Sequence, residues 1–158
     1  MPIVGRQGAP VEASPCNGTA LRKATRRVSQ LYDAMLAPSG LRSTQRSILM
    51  HIARAGAPTM GELAAALVLD RSALAHNLKP LERDGFVGIV ADPRDKRSRL
   101  VRLTTAGEVK LQETQGLWQG AQHRFETVFG REQARALRAT LAQIASPEFA
   151  EAFERAGD

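Results

Sequence analysis

Three groups of side chains in this sequence are able to do chemistry, and two of them are built to grip anions. The run Asp92-Pro93-Arg94-Asp95-Lys96-Arg97-Ser98 crowds long cations into one short polar stretch. Upstream, Arg71, Ser72, Ala75, His76 and Lys79 recur at a spacing that places them along one side of a helix. Cys16 is the only cysteine, so neither an intrachain disulfide nor a cysteine-based zinc site can be built within one chain. Bond-making chemistry has little support. There is no Gly-rich phosphate loop, no His-x-x-Glu-His and no Gly-x-Ser-x-Gly, and no base is positioned by sequence near Cys16. His51 and His123 stand alone, and no metal or cofactor is assigned. The residues read as a binding surface for a polyanion rather than as an active site, with a thiol-dependent peroxidase as the enzyme alternative.

The elements that must carry these residues follow from periodicity. Residues 1–18, interrupted by Pro2, Pro10, Pro15 and several glycines, read as a flexible arm. A first helix is expected from Thr19 or Ala20 to Ala37, with Leu21, Ala24, Val28, Leu31 and Met35 at helical spacing. A second spans about Thr44 to Ala55. Thr59-Met60-Gly61-Glu62 fits a capping box opening a short third helix, and Asp70 is placed to cap a fourth. In that fourth helix Leu74, Leu78 and Leu81 form a narrow apolar stripe, which turns Ser72, Ala75, His76 and Lys79 outward. Pro80 removes one helical hydrogen bond and predicts a bend before the last turn.

The period then changes. Phe86–Ala91 and Arg99–Leu103 are short β-type runs around the charged stretch, which makes a hairpin with a long cationic tip. A second capping-box pattern, Thr105-Ala106-Gly107-Glu108, opens a helix expected to reach about Val128. Another covers about Glu132 to Ala145, and Phe149 and Phe153 lie one turn apart beyond Pro147. Two short helices followed by a charged hairpin form a winged helix-turn-helix. The fold class is mainly α with a small β wing and long N- and C-terminal helices. The DNA-binding lobe is expected at about 41–104 and the dimerisation helices at about 19–37 and 105–156.

The whole-chain numbers agree with one such domain over residues 19–158. The chain has 158 residues with a net charge of +6, an anion-seeking balance. Aromatics are only 4 %, and no apolar run approaches the roughly 20 residues of a membrane-spanning helix. No secretory signal is read at the N-terminus, so a cytoplasmic location is expected. In this reading the fourth helix enters a major groove, with Arg71 at its first turn reaching a phosphate or guanine. Arg94, Lys96 and Arg97 reach phosphates or a narrow minor groove, and one of Asp92 and Asp95 orients a neighbouring arginine by a bidentate pair.

The run Asp70–Val87, the wing sequence Asp92–Ser98 and Val101-Arg102-Leu103-Thr104-Thr105-Ala106-Gly107 together resemble the MarR family of regulators over about residues 18–145. The family's wing pattern Asp-x-Arg-Asp-x-Arg is matched at Asp92, Arg94, Asp95 and Arg97. The resemblance implies an obligate homodimer joined through the first and last helices, binding pseudo-palindromic double-stranded operators and usually repressing transcription. It implies base contacts from Ser72, Ala75, His76 and Lys79 and wing contacts from Arg94 and Arg97. A non-specific architectural DNA-binding protein is the alternative binding function.

Two effector routes belong to that resemblance: a small aromatic ligand, or peroxide acting on a cysteine. Cys16 is the redox-sensor candidate. It lies at a helix start, where the dipole favours a thiolate, with Arg22 and Lys23 expected in the first turn. Tyr32 resembles the tyrosine that accompanies the reactive cysteine in the organic-peroxide-sensing branch. The chain departs from that branch in placing Cys16 about two residues early and in lacking a second tyrosine near Ser43. Tyr32, Met35, Trp118, Phe125 and Phe129 are the aromatic and soft side chains available to line a ligand pocket.

Overall fold

The computed structural model describes residues 13–157, so most of the expected arm lies outside the described residues. The order is α1 (Asn17–Leu36), a 3-10 turn (Ala37–Ser39), α2 (Ser43–Ala55), α3 (Met60–Ala66), α4 (Arg71–Arg83), β1 (Val87–Ala91), β2 (Arg99–Leu103), α5 (Thr105–Glu113), α6 (Gln115–Phe129), α7 (Arg131–Ile144) and α8 (Pro147–Arg155). This is the mainly helical winged-helix architecture expected, with its two-stranded antiparallel wing and long terminal helices. No helix among the described residues is long and apolar enough to cross a membrane.

The chain forms two compact units, one of residues 24–120 and one of the flanking segments. The first holds the core: Leu41, Ile48, Leu49, Ile52, Leu63, Ala64, Leu74, Leu78, Leu81, Val87 and Val101 are all buried together. Each helix contributing to it starts where a side chain satisfies its free amides. At α2, Asp33 Oδ1 accepts from the Ser43 amide and hydroxyl at 2.7 and 2.6 Å. At α3, Thr59 Oγ1 accepts from the Glu62 amide while Glu62 Oε2 accepts from the Thr59 amide, the reciprocal box expected there. At α4, Asp70 Oδ1 accepts from the Ala73 amide at 2.7 Å.

Two local expectations are corrected. The N-cap of α5 is Thr104, not Thr105; its hydroxyl oxygen accepts from Gly107 at 3.0 Å and its hydroxyl donates to Gly85 O at 2.6 Å. Gly107 is the reason. A Cβ there would stand 2.0 Å from the Phe86 carbonyl oxygen, so only glycine lets α5 start against the strand's entry. The helix expected from Thr105 to Val128 is also two helices, divided at Thr114. The Thr114 amide is shared between the carbonyls of Lys110 and Leu111, at 3.3 and 3.2 Å, which tightens one turn.

The flanking unit is differently built. Ala121 and Ala134 are buried, but Leu21, Val128, Phe129, Leu141, Ile144, Phe149 and Phe153 are exposed. Gly130 separates α6 from α7 at φ +97°, a conformation natural only to glycine. Glu126 pairs with Arg138 at 3.4 Å and with Arg131 at 3.7 Å.

Candidate nucleic-acid interface

The helix-turn-helix is made by α3 and α4, and α4 shows why its sequence divides as it does. Leu74, Leu78 and Leu81 are fully buried, which forces the intervening positions outward. Arg71, Ser72, His76 and Lys79 are exposed and Ala75 is half-buried, so the predicted face exists as one surface. It begins with small side chains, and a helix of about 10–12 Å diameter fits a major groove about 12 Å wide. The helix runs unbroken through Pro80 to Arg83. Asn77, on the flank, donates from Nδ2 to the Ala73 carbonyl at 2.8 Å.

The Arg71 side chain lies where the sequence did not show. Its Nη2 lies 3.3 Å from where a Cβ on Gly61 would stand, so the guanidinium crosses the first turn of α3. A Cβ at Gly61 would ask the guanidinium to shift by only a few tenths of an ångström.

The turn before α4 carries a second surprise. Val68 has φ +53° and is 68 % exposed, a β-branched residue in the left-handed region. No sequence signal marks that position, since glycine or asparagine is what the conformation ordinarily selects.

The wing pairs Val87 with Leu103 through to Ala91 with Arg99. Residues before α3 extend it: Thr59 bridges to Leu100, and the Val101 amide donates to Pro58 O at 2.9 Å. At the tip, Asp92 and Asp95 work on the backbone rather than through the expected bidentate arginine pair. Asp92 Oδ1 accepts from the Arg94 amide at 2.9 Å, and Asp95 Oδ1 accepts from the Arg97 amide at 3.0 Å. Asp92 is buried, and its single contact with the Arg94 side chain is a loose 3.6 Å to Nε. Each carboxylate therefore folds a turn that points the following cation outward. The Arg94 side chain is 88 % exposed, and Lys96 and Arg97 are exposed as well. Arg71, Lys79, Lys96 and Arg97 have no ion-pair partner among the described residues.

Glu62 adds an acidic group close to this basic tip. Its hydrogen bonds from Thr59 hold the carboxyl below its ordinary pKa, with a smaller contribution from Arg94. Sequence reading placed Glu62 only in the helix cap.

Cys16 and Tyr32 occupy different settings. Cys16 is exposed and caps α1, its carbonyl accepting from Ala20 at 3.0 Å. Its thiol is held below the ordinary value by hydrogen bonding from the Thr19 side chain and backbone. Because α1 begins at Asn17, Arg22 and Lys23 fall in the second turn, and Thr19 takes the role expected of them. Tyr32 lines a cavity of about 220 Å3 with Leu36, Ser43, Arg46, Ser47, Met50 and Trp118. The Phe125 and Phe129 rings pack against each other tilted by 42°, with centroids 5.4 Å apart. His51 Nδ1 lies 2.7 Å from the Ser47 carbonyl, and no cluster of metal-ligating side chains occurs among the described residues.

Comparison with known proteins places this geometry. The MarR family profile matches residues 39–98, which hold α2 to α4, β1 and the wing tip. BadR of Rhodopseudomonas palustris, a transcriptional activatory protein, is 39 % identical over 71 residues, 43 % of this chain. The match spans only 41 % of BadR's own length. The transcriptional regulator MosR of M. tuberculosis, solved in complex with DNA, is 36 % identical with a TM-score of 0.77. It aligns over 87 % of this chain and 97 % of that one. The transcriptional repressor CouR, solved bound to a 23-mer DNA duplex, is 28 % identical with a TM-score of 0.78, over 89 % of this chain and 100 % of that one. With its helix-turn-helix, wing and near full-length match to a regulator, the chain belongs to the MarR family of non-enzymatic transcriptional regulators.

Proposed function

We propose that this protein is a sequence-specific transcriptional regulator that binds a pseudo-palindromic DNA operator as a homodimer and represses the adjoining gene. The observation that carries the reading is the α4 face, with Ser72, His76 and Lys79 exposed beside half-buried Ala75, together with the exposed wing cations Arg94, Lys96 and Arg97, of which only Arg94 has a carboxylate contact among the described residues. Small and polar groups on α4 read base edges, while the wing cations and Arg71 hold phosphates and fix register. MosR and CouR having been solved with DNA supports the same use of the fold here. The exposed apolar side chains of α7 and α8 support a second copy as their cover. Such a protein works in the cytoplasm.

Release from DNA follows one of two routes. Oxidation of Cys16 is supported by its exposure and by the hydrogen bonds from Thr19 that favour the thiolate. A small aromatic ligand is supported by the cavity that brings Tyr32 and Trp118 together.

The test is a titration of a duplex from the protein's own upstream region beside a scrambled duplex, at about physiological salt, with reduced and peroxide-treated samples. Tight binding to the native duplex alone is the expected result. Equal weak binding to both duplexes, fading steeply with salt, supports the architectural alternative instead. A change on peroxide treatment that disappears in Cys16→Ser assigns the oxidant route.

A further inference from the structure

Arg46 is the one arginine buried in the core of the DNA-binding lobe, 5 % exposed, and no carboxylate pairs with it among the described residues. Burial pushes its pKa down, with Arg54 adding to the effect. A buried cation without a carboxylate partner is a costly choice for α2, where a leucine or methionine would fill the same space. What the guanidinium does there is specific. Its Nε donates to Thr114 Oγ1 at 3.0 Å and its Nη2 donates to Gln115 Oε1 at 3.1 Å. Its Cζ lies over the Trp118 ring at 4.6 Å from the centroid. Thr114 is the division between α5 and α6, and Gln115 and Trp118 lie in the first turn of α6.

The hydroxyl of Thr114 makes the arrangement cooperative. Its single proton goes to the Leu111 carbonyl at 2.6 Å, which leaves a lone pair to accept from Arg46. Leu111 O also receives the Thr114 amide, so the tightened turn and the arginine contact form one connected network. Lysine could not replace the fork, since a compact ammonium cannot hold two acceptors in the fixed directions of a planar guanidinium while lying over an indole.

We propose that Arg46 is a positioning residue for operator recognition: by clamping Thr114, Gln115 and Trp118 it fixes the direction in which α6 leaves the lobe, and with it the half-site spacing that the dimer accepts. This rests on the dimeric operator-binding reading above. Adding or removing one base pair between half-sites turns one relative to the other around the duplex, so spacing is a sensitive gauge of that direction.

The experiment measures affinity for the operator and for duplexes lengthened or shortened by one base pair between half-sites. It uses wild type, Arg46→Lys and Gln115→Ala, with thermal unfolding and dimer mass recorded beside each. Gln115 is exposed, so Gln115→Ala removes one arm of the clamp with little risk to folding. Wild type is expected to prefer one spacing by about tenfold, Gln115→Ala to weaken that preference, and Arg46→Lys to reduce it to about twofold. An unchanged preference in Gln115→Ala together with either an unchanged preference or an equal loss at every spacing in Arg46→Lys overturns the proposal and leaves Arg46 a structural residue. Wild type binding without any spacing preference, or as a monomer, overturns the dimeric reading as well, so the two failures are distinguishable.

Discussion

Residues 24–120 and the segments flanking them solve the problem of covering apolar surface in opposite ways. In the first region Leu49, Ile52, Leu63, Leu74, Leu78, Leu81 and Val101 are almost wholly buried, and the starts of α2, α3, α4 and α5 are each hydrogen-bonded by a nearby side chain. In the second, alanines are what is buried, while Val128, Phe129, Leu141, Ile144, Phe149 and Phe153 remain exposed. The lobe buries its main apolar cluster within itself, leaving Leu31, Val68, Val90 and Val109 exposed at scattered positions beside the cations and small polar groups of α4 and the wing. The α7–α8 region carries apolar groups that a single chain leaves in water. A lesion in the lobe should therefore act on folding or on DNA, and a lesion in α8 on self-association.

The largest effect is expected in the lobe. Gly107→Ala drives a methyl group into the Phe86 carbonyl and should destabilise the protein by about 3 kcal/mol, seen as a fall in Tm of roughly 10 °C. Next comes the contrasting region. Phe153→Ala, at a residue 74 % exposed, should leave the lobe's unfolding intact but weaken self-association by about 2 kcal/mol in sedimentation equilibrium. If instead it lowers the unfolding temperature at a concentration where only monomer exists, the contrast between the regions breaks. Lys79→Ala should lose about tenfold in operator affinity and reduce the salt slope by about one, with folding unchanged.

Two smaller effects sharpen the picture within the lobe. Val68→Gly relieves a left-handed β-branched residue and should raise stability by about 0.5–1 kcal/mol, net of the extra freedom of glycine in the unfolded chain. The second concerns pH. Glu62 has its pKa lowered in the folded protein by hydrogen bonding from Thr59, so its contribution is present above the unfolded value and lost as pH falls through the folded one. Wild type should thus lose Tm more steeply than Glu62→Gln as the solution is taken from near neutrality to below the ordinary glutamate range.

The lobe's framework was legible because its signals are local. Asp70 and Thr59 announce their helices within three residues, and Leu74, Leu78 and Leu81 set the outward face of α4 without any tertiary information. The wing's strands emerged within one residue of their expected ends. What escaped depends on chain segments distant in sequence. The division at Thr114 is clamped by Arg46, 68 residues earlier, and no periodicity reports such a contact. The cap at Thr104 was misassigned by one residue because Gly107 is dictated by the Phe86 backbone, not by a capping box. Asp92 and Asp95 were placed at the wing correctly, yet their preference for backbone amides over arginine depends on turn geometry that charge patterning does not encode.

The most direct test of the central claim is hydroxyl-radical footprinting of the protein on its own upstream DNA. Two protected segments of like sequence, their centres about one helical turn apart and both lost together in Lys79→Ala, are the predicted result. A single protected segment, or even protection without sequence boundaries, would contradict a dimer reading two half-sites through α4.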